Sequence, residues 1–130
     1  MRALIQRVSS ASVTAQGQEA QSISNGYVIL LGIGPKDTEQ TAEKLWNKIR
    51  KLRIFDDSEG KTNLSLQDVD GSVLLVSQFT LYADCHKGNR PSFTKGAKPD
   101  QAEKLYTYFG SLITQDEIAL KTGWFGAMMN

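Results

Sequence analysis

Two amphipathic stripes, each set between groups of short apolar segments, limit what this chain can fold into. Ala42, Leu45, Trp46, Ile49 and Leu52 recur at the spacing of one helical face and predict a helix over about residues 38–52. Asp37, with Gln40 three residues on, is the expected cap. Ala102, Leu105, Tyr106, Phe109, Leu112 and Ile113 repeat the pattern after Pro99, which suits a first helical turn. Around them lie strand-like runs: 3–8, 11–15, 19–23, 27–33, 72–81 and 118–121. Tyr27 to Ile33 is apolar throughout and predicts a strand buried on both faces. Asn25-Gly26 predicts a tight turn, because both residues tolerate positive φ. Turns are also expected at 16–18, 56–60 and 68–71, while 64–66 is ambiguous. Strands grouped into hairpins with two helices between the groups favour an α+β fold with largely antiparallel, barrel-like sheets, and strict β-α-β alternation is not evident.

At 130 residues the chain suggests a single domain. A net charge of +1 leaves no global basic field, so binding of nucleic acid would need a local patch. Cys85 is the one cysteine and His86 the one histidine, which rules out an internal disulfide and a zinc cluster of these residues. No metal or cofactor is expected: there is no GxGxxG or P-loop, and Asp56-Asp57 and Asp68/Asp70 read as turns. The first ten residues lack the apolar core of a signal peptide, and no run reaches the ~18 apolar residues of a membrane span. A reducing, cytoplasmic setting is expected.

The chemistry concentrates at 77–93. An apolar strand from Ser72 runs into Ser77-Gln78-Phe79-Thr80, and a loop then carries Lys87, Gly88, Asn89 and Arg90 into Pro91-Ser92-Phe93. Hydroxyls and an amide at a strand end, beside a basic loop, point to a pocket rim for an anionic ligand. Ser77 and Thr80 are candidate nucleophiles, but the local sequence supplies no base, and Asp84 is the one acid nearby. They could instead cap the strand end, or backbone amides and Gln78 could cradle a polarised carbonyl or a ribose hydroxyl. Cys85 and His86 are adjacent, which in extended chain points them to opposite faces and argues against a dyad. Arg7 is read either as an edge residue with its head in solvent or as a pocket anchor. Lys87, Arg90, Lys95 and Lys98 are the leading phosphate-binding candidates. Lys44, Lys48 and Lys51, with Arg50 and Arg53, form either a solvated helix face or a second phosphate patch. Trp124, Phe125, Met128 and Met129 are either packing residues or a platform for a base.

These segments together resemble the D-aminoacyl-tRNA deacylase family. The signature SQFTL-x-A stands at 77–83 and the RP-[SA]-F loop at 90–93. Residues 3–8, Arg53-Ile54-Phe55 with Gly60-Lys61 and Asn63-Leu64, and 122–127 match in order. The resemblance implies a homodimeric ester hydrolase that removes D-amino acids from tRNA, and glycine mischarged on tRNA-Ala, with pockets at the subunit interface. It implies that Ser77, Gln78, Phe79 and Thr80 line the aminoacyl and ribose side, that Ala102 lies near the entrance, and that Phe125 and Met129 hold the adenine. It also implies that side chains do little direct chemistry and that the substrate's 2′-hydroxyl assists water. Family members continue into a strand with an N-x-G-P-[VI]-T motif, whose cis Gly-Pro enters the partner's pocket and excludes L-aminoacyl groups. The chain stops at Asn130, and its Gly-Pro pair is Gly34-Pro35. Met128 stands where members commonly have Asp. The expectation is therefore either a truncated chain or one without that filter. The rival readings are a tRNA acceptor-end binding module without turnover and a general esterase using Thr80 or Cys85.

Overall fold

The computed structural model describes residues 1–130. Strand β1 (Arg2–Val8) pairs antiparallel with β4 (Gly26–Gly32), which pairs parallel with β7 (Ser72–Ser77), which pairs parallel with β8 (Leu120–Thr122). Helix α1 (Glu39–Ile49) lies between β4 and β7 in sequence, and α2 (Pro99–Gln115) between β7 and β8. Two hairpins complete the fold, β2 (Ala11–Val13) with β3 (Gln21–Ile23) and β5 (Phe55–Asp56) with β6 (Thr62–Leu64).

The α+β reading with two helices holds, and three of the five strand pairings are antiparallel. The centre of the main sheet, however, is parallel, and each parallel pair is bridged by a helix. The β5–β6 hairpin interrupts the first crossover, which hides the β-α-β rhythm in the sequence. The sheet order ends at β1 and β8, and no pairing closes them into a barrel.

Strand alternation divides the core in two. Tyr27, Ile29 and Leu31 of β4 and Val73 and Leu75 of β7 face the helices, where they meet Trp46, Ile49, Phe109 and Ile113. Each such side chain, fully buried, contributes about 1.5–3 kcal/mol of transfer free energy. Trp46 meets Phe109 edge-on at 6.0 Å, and its indole N–H donates to Asp116 at 2.7 Å. On the other face Leu74 and Val76 pack with Val13 and Ile23 of the β2–β3 hairpin, joined by Val28, Leu30, Trp124 and Met129.

Three local expectations are corrected. The cap of α1 is Thr38, not Asp37: the Thr38 hydroxyl accepts from the Thr41 amide at 3.3 Å, and the Thr41 hydroxyl accepts from the Thr38 amide at 3.0 Å. Asp37 instead accepts the Gly34 amide at 2.6 Å and pairs with the Met1 amino group at 2.6 Å. Asn25-Gly26 is not a primed turn, since neither residue has positive φ. Gly26 opens β4 and lies so close to β7 that a Cβ there would sit 1.8 Å from the Ser72 carbonyl oxygen. Finally, the strand from Ser72 ends at Ser77, and Phe79–Tyr82 form a 3₁₀ turn.

Candidate active site and nucleic-acid face

Because β4 and β7 run parallel, their carboxyl ends finish on one edge of the sheet, where open α/β sheets usually bind ligands. Leu31 and Ser77 are paired there, and the Gln78 amide extends the ladder to the Leu31 carbonyl at 2.8 Å. The chain then tightens into the 3₁₀ turn, with the Ala83 amide bonded to the Thr80 carbonyl at 3.1 Å. Arg2 clamps this turn: its guanidinium donates to the Leu81 carbonyl at 2.7 Å and stacks 4.4 Å from the Tyr82 ring centre. Arg2 escaped the sequence reading. The available signal was an arginine opening a strand directly ahead of the apolar run Ala3-Leu4-Ile5.

The turn places Ser77, Gln78 and Thr80 half-buried at the ledge, with Phe79 outward. The Gln78 side-chain amide donates to the Thr80 hydroxyl. An amide N–H cannot take a proton, so the one side-chain partner of Thr80 does not activate it as a nucleophile. Tyr106, below the ledge, donates to the Leu75 carbonyl at 2.8 Å, and burial pushes its phenol up to about 12. It is not a base at neutral pH either.

The first turn of α2 reaches the same edge. Gln101 donates to the Pro35 and Asp37 carbonyls, both at 3.3 Å, and the Ala97 amide bonds the Ile33 carbonyl at 2.9 Å. These bonds fix the start of α2 beside the segment after β4, where Ala102 is half-buried and packs against the main core. Phe125 follows β8 and rests on Tyr106, with ring centres 6.0 Å apart. Met129 does not join it. Met129 packs with Trp124 against the cluster on the other face, next to Gly123, and pairs as a bridge with Ala15.

Arg7 also stands apart. Its register partners are Tyr27 and, through β4, Val73. Ser77 lies about 13 Å further along β7 at a strand's rise per residue. The Arg7 guanidinium donates to the Ile54 carbonyl at 2.7 Å and to Asp56 at 3.2 Å, on the wall of a cleft of about 380 Å³ shared with Asn25 and Val69.

The loop after the turn is closed at its neck. Asp84 and Ser92 exchange two backbone hydrogen bonds, each 2.8 Å. The Asp84 carboxylate binds Lys95 Nζ at 2.8 Å, the His86 amide at 3.0 Å and His86 Nδ1 at 2.6 Å. Lys95 is thus held as a structural tie, while Lys87, Arg90 and Lys98 are exposed and make no ion pair. Cys85 is exposed, and His86 turns to Asp84 rather than to the thiol. On α1 and just after it, Lys44, Lys48 and Lys51 are exposed, whereas Arg50 pairs with Asp116 at 3.8 Å and Arg53 holds Asn63.

These ties, the Lys95 ammonium first, lower the Asp84 carboxyl to about 2. A carboxyl depressed in the folded state stabilises the loop fully above its ordinary value near 3.8 and loses that contribution as pH falls through about 2. A carboxyl-detected NMR titration should therefore give Asp84 a midpoint near 2. A midpoint in the ordinary carboxylate range would show that the neck is open in solution.

The D-Tyr-tRNA(Tyr) deacylase family profile matches residues 4–130. The chain belongs to that family. It is 53% identical over 130 residues to a D-aminoacyl-tRNA deacylase of Thermosipho melanesiensis, covering 99% of this chain and 87% of that protein. It is 52% identical to the Thermus aquaticus D-aminoacyl-tRNA deacylase, covering 100% of this chain and 86% of that protein. Among solved structures, the c-Myc DNA Unwinding Element Binding Protein superposes with a TM-score of 0.91 at 40% identity, over 100% of this chain and 89% of the other. In this family member the signature segment 77–83 is the 3₁₀ turn and its approach, at the carboxyl edge of the parallel strands.

Proposed function

We infer that this chain hydrolyses the ester of D-aminoacyl-tRNA. The observation that carries the reading is family membership along residues 4–130. The ledge geometry supports it chemically. Thr80 has an amide for its partner, Tyr106 is held protonated, and His86 is tied to Asp84. A site so short of bases suits a reaction in which positioning and backbone amides carry catalysis and the substrate's own hydroxyl assists water.

In this reading Ser77, Gln78, Phe79 and Thr80 receive the aminoacyl and ribose groups, with Ala102 and Phe125 beside them. Lys87, Arg90 and Lys98 meet the acceptor-stem phosphates, and Lys95 shapes the loop that presents them. Arg7 and Met129 reach such a pocket only with help from a second copy, which suits a homodimer with interfacial pockets. Exposed Leu4 on the edge strand and exposed Met128 are apolar surface available to that contact. No helix is long and apolar enough to cross a membrane.

The test is single-turnover hydrolysis of matched D- and L-aminoacyl-tRNA by the wild type and by Thr80→Ala. The wild type should cleave the D ester and spare the L ester. Thr80→Ala should keep activity within about tenfold, since it removes a lining group and not a nucleophile. Complete loss in a folded Thr80→Ala that still binds tRNA would make Thr80 the nucleophile. Salt-sensitive tRNA binding by the wild type with no hydrolysis of either ester would make the chain a binding module.

A further inference from the structure

Phe79 and Phe93 are large apolar side chains that the fold leaves in water, 65% and 45% exposed. They come from different segments yet meet edge-to-face, with ring centres 5.5 Å apart. Neither is exposed through slack in the chain. Phe79 sits on the 3₁₀ turn, which is clamped by Arg2 and stitched to β4 through the Gln78 amide. Phe93 follows Ser92, half of the loop-neck bridge, and precedes Thr94, whose hydroxyl is 3.2 Å from that of Ser92. The rings are held in place before any ligand arrives, which lowers the ordering cost of binding.

Their surroundings are cationic. Lys87 and Arg90 lie in the loop that Phe93 closes, and Lys98 lies just beyond it, none with an acidic partner. Exposed aromatics beside unpaired cations are the composition of a single-stranded nucleic-acid platform, where bases stack on rings and phosphates meet the charges. A second copy meeting the patch at the two-fold axis would bring this cationic loop against its own image, so self-association centred on the rings is disfavoured.

We propose that the Phe79–Phe93 pair stacks an unpaired base preceding the terminal adenosine of the tRNA 3′ end. The inference rests on the acceptor-end reading above and adds to it a subsite at the rim of the aminoacyl pocket, which it adjoins through Phe79. Phe93 is its outer wall, and the neighbouring cations hold the connecting phosphates.

The test compares two uncharged probes, the RNA trimer C-C-A and adenosine, by titration against the wild type, Phe93→Ala and Phe93→Trp. Phe93→Ala should bind the trimer about tenfold more weakly and adenosine unchanged. Phe93→Trp should restore trimer binding, which a merely structural role would not predict. Equal weakening for both probes, or no weakening for either, would overturn the subsite. So would a Phe93→Ala whose monomer–dimer equilibrium shifts in sedimentation while trimer affinity stays constant, since the ring would then belong to a contact between copies. The probes carry no ester, so failure of the deacylase reading appears separately, as absent hydrolysis with the trimer discrimination intact.

Discussion

Gly26→Ala should cost about 3 kcal/mol or more and lower the melting temperature by about 10 °C or more. A Cβ at residue 26 would meet the Ser72 oxygen at 1.8 Å, the Ser72 nitrogen at 2.7 Å and the Ser72 carbonyl carbon at 2.8 Å. All three are backbone atoms, so no rotamer change relieves the clash. Relief requires β4 and β7 to separate where they begin. The Ser72 amide bonds the Asn25 carbonyl at 3.0 Å there, and Tyr27 and Val73 next in line are fully buried. A single methyl therefore opens both the central ladder and the core. Thermal denaturation followed by circular dichroism measures the effect. A variant melting within about 2 °C of the wild type would mean that the two strands are not this close in solution.

Gly32→Val should leave the fold largely standing and lower kcat/KM for D-aminoacyl-tRNA by about a hundredfold. Gly32 lies beneath the 3₁₀ turn. A Cβ there would stand 3.1 Å from the Gln78 oxygen, 3.1 Å from Leu81 Cβ and 3.2 Å from Tyr82 Cδ2. Alanine asks the turn to yield a few tenths of an ångström; valine adds two methyls and lifts it further. The turn bears Gln78 and Thr80, and misplacement of positioning groups by about 1 Å is costly where positioning is most of the catalysis. Overpacking itself should cost about 1–3 kcal/mol, read from the same melting curves. Full activity in Gly32→Val would remove the turn from the pocket. Gly32→Ala should fall between the two.

What the sequence discloses here is periodicity. The stripe from Ala102 to Ile113 is the buried face of α2, and the apolar run after Asn25 is a strand covered on both sides, because both patterns are local consequences of burial. Strand partnership is not local. Nothing in Tyr27–Ile33 says that its neighbours are Arg2–Val8 on one side and Ser72–Ser77 on the other, and the β5–β6 hairpin disguises the first crossover. Asn25-Gly26 carries a turn's composition, but its glycine serves a close approach between strands, a demand made by a residue far off in sequence. Thr38 outcompetes Asp37 as cap because Asp37 is already engaged by Gly34. At the candidate site, the cluster of polar groups around Ser77–Thr80 was legible because it is contiguous. The tie between Asp84 and Lys95 was not, since pairing takes one lysine out of a series that looks uniform when written out. The distance of Arg7 and Met129 from the ledge was equally hidden, because it depends on sheet register and on which face a side chain takes.

The two crossovers also set an order of assembly. Tyr27 pairs with Val73, and Val73 pairs with Leu120, so the middle strand gains neither neighbour from its own vicinity. Closing such distant pairs carries a chain-entropy cost before any contact repays it, which slows folding. During synthesis on the ribosome, β1 and β4 can form their antiparallel pair early, yet the apolar edge of β4 waits for β7, and β7 in turn waits for β8. For that interval the nascent chain displays the unpaired edge of Tyr27–Leu31, a strand whose composition invites pairing with other chains. A folding helper that shields this edge should matter more to the yield of the protein than to its final stability.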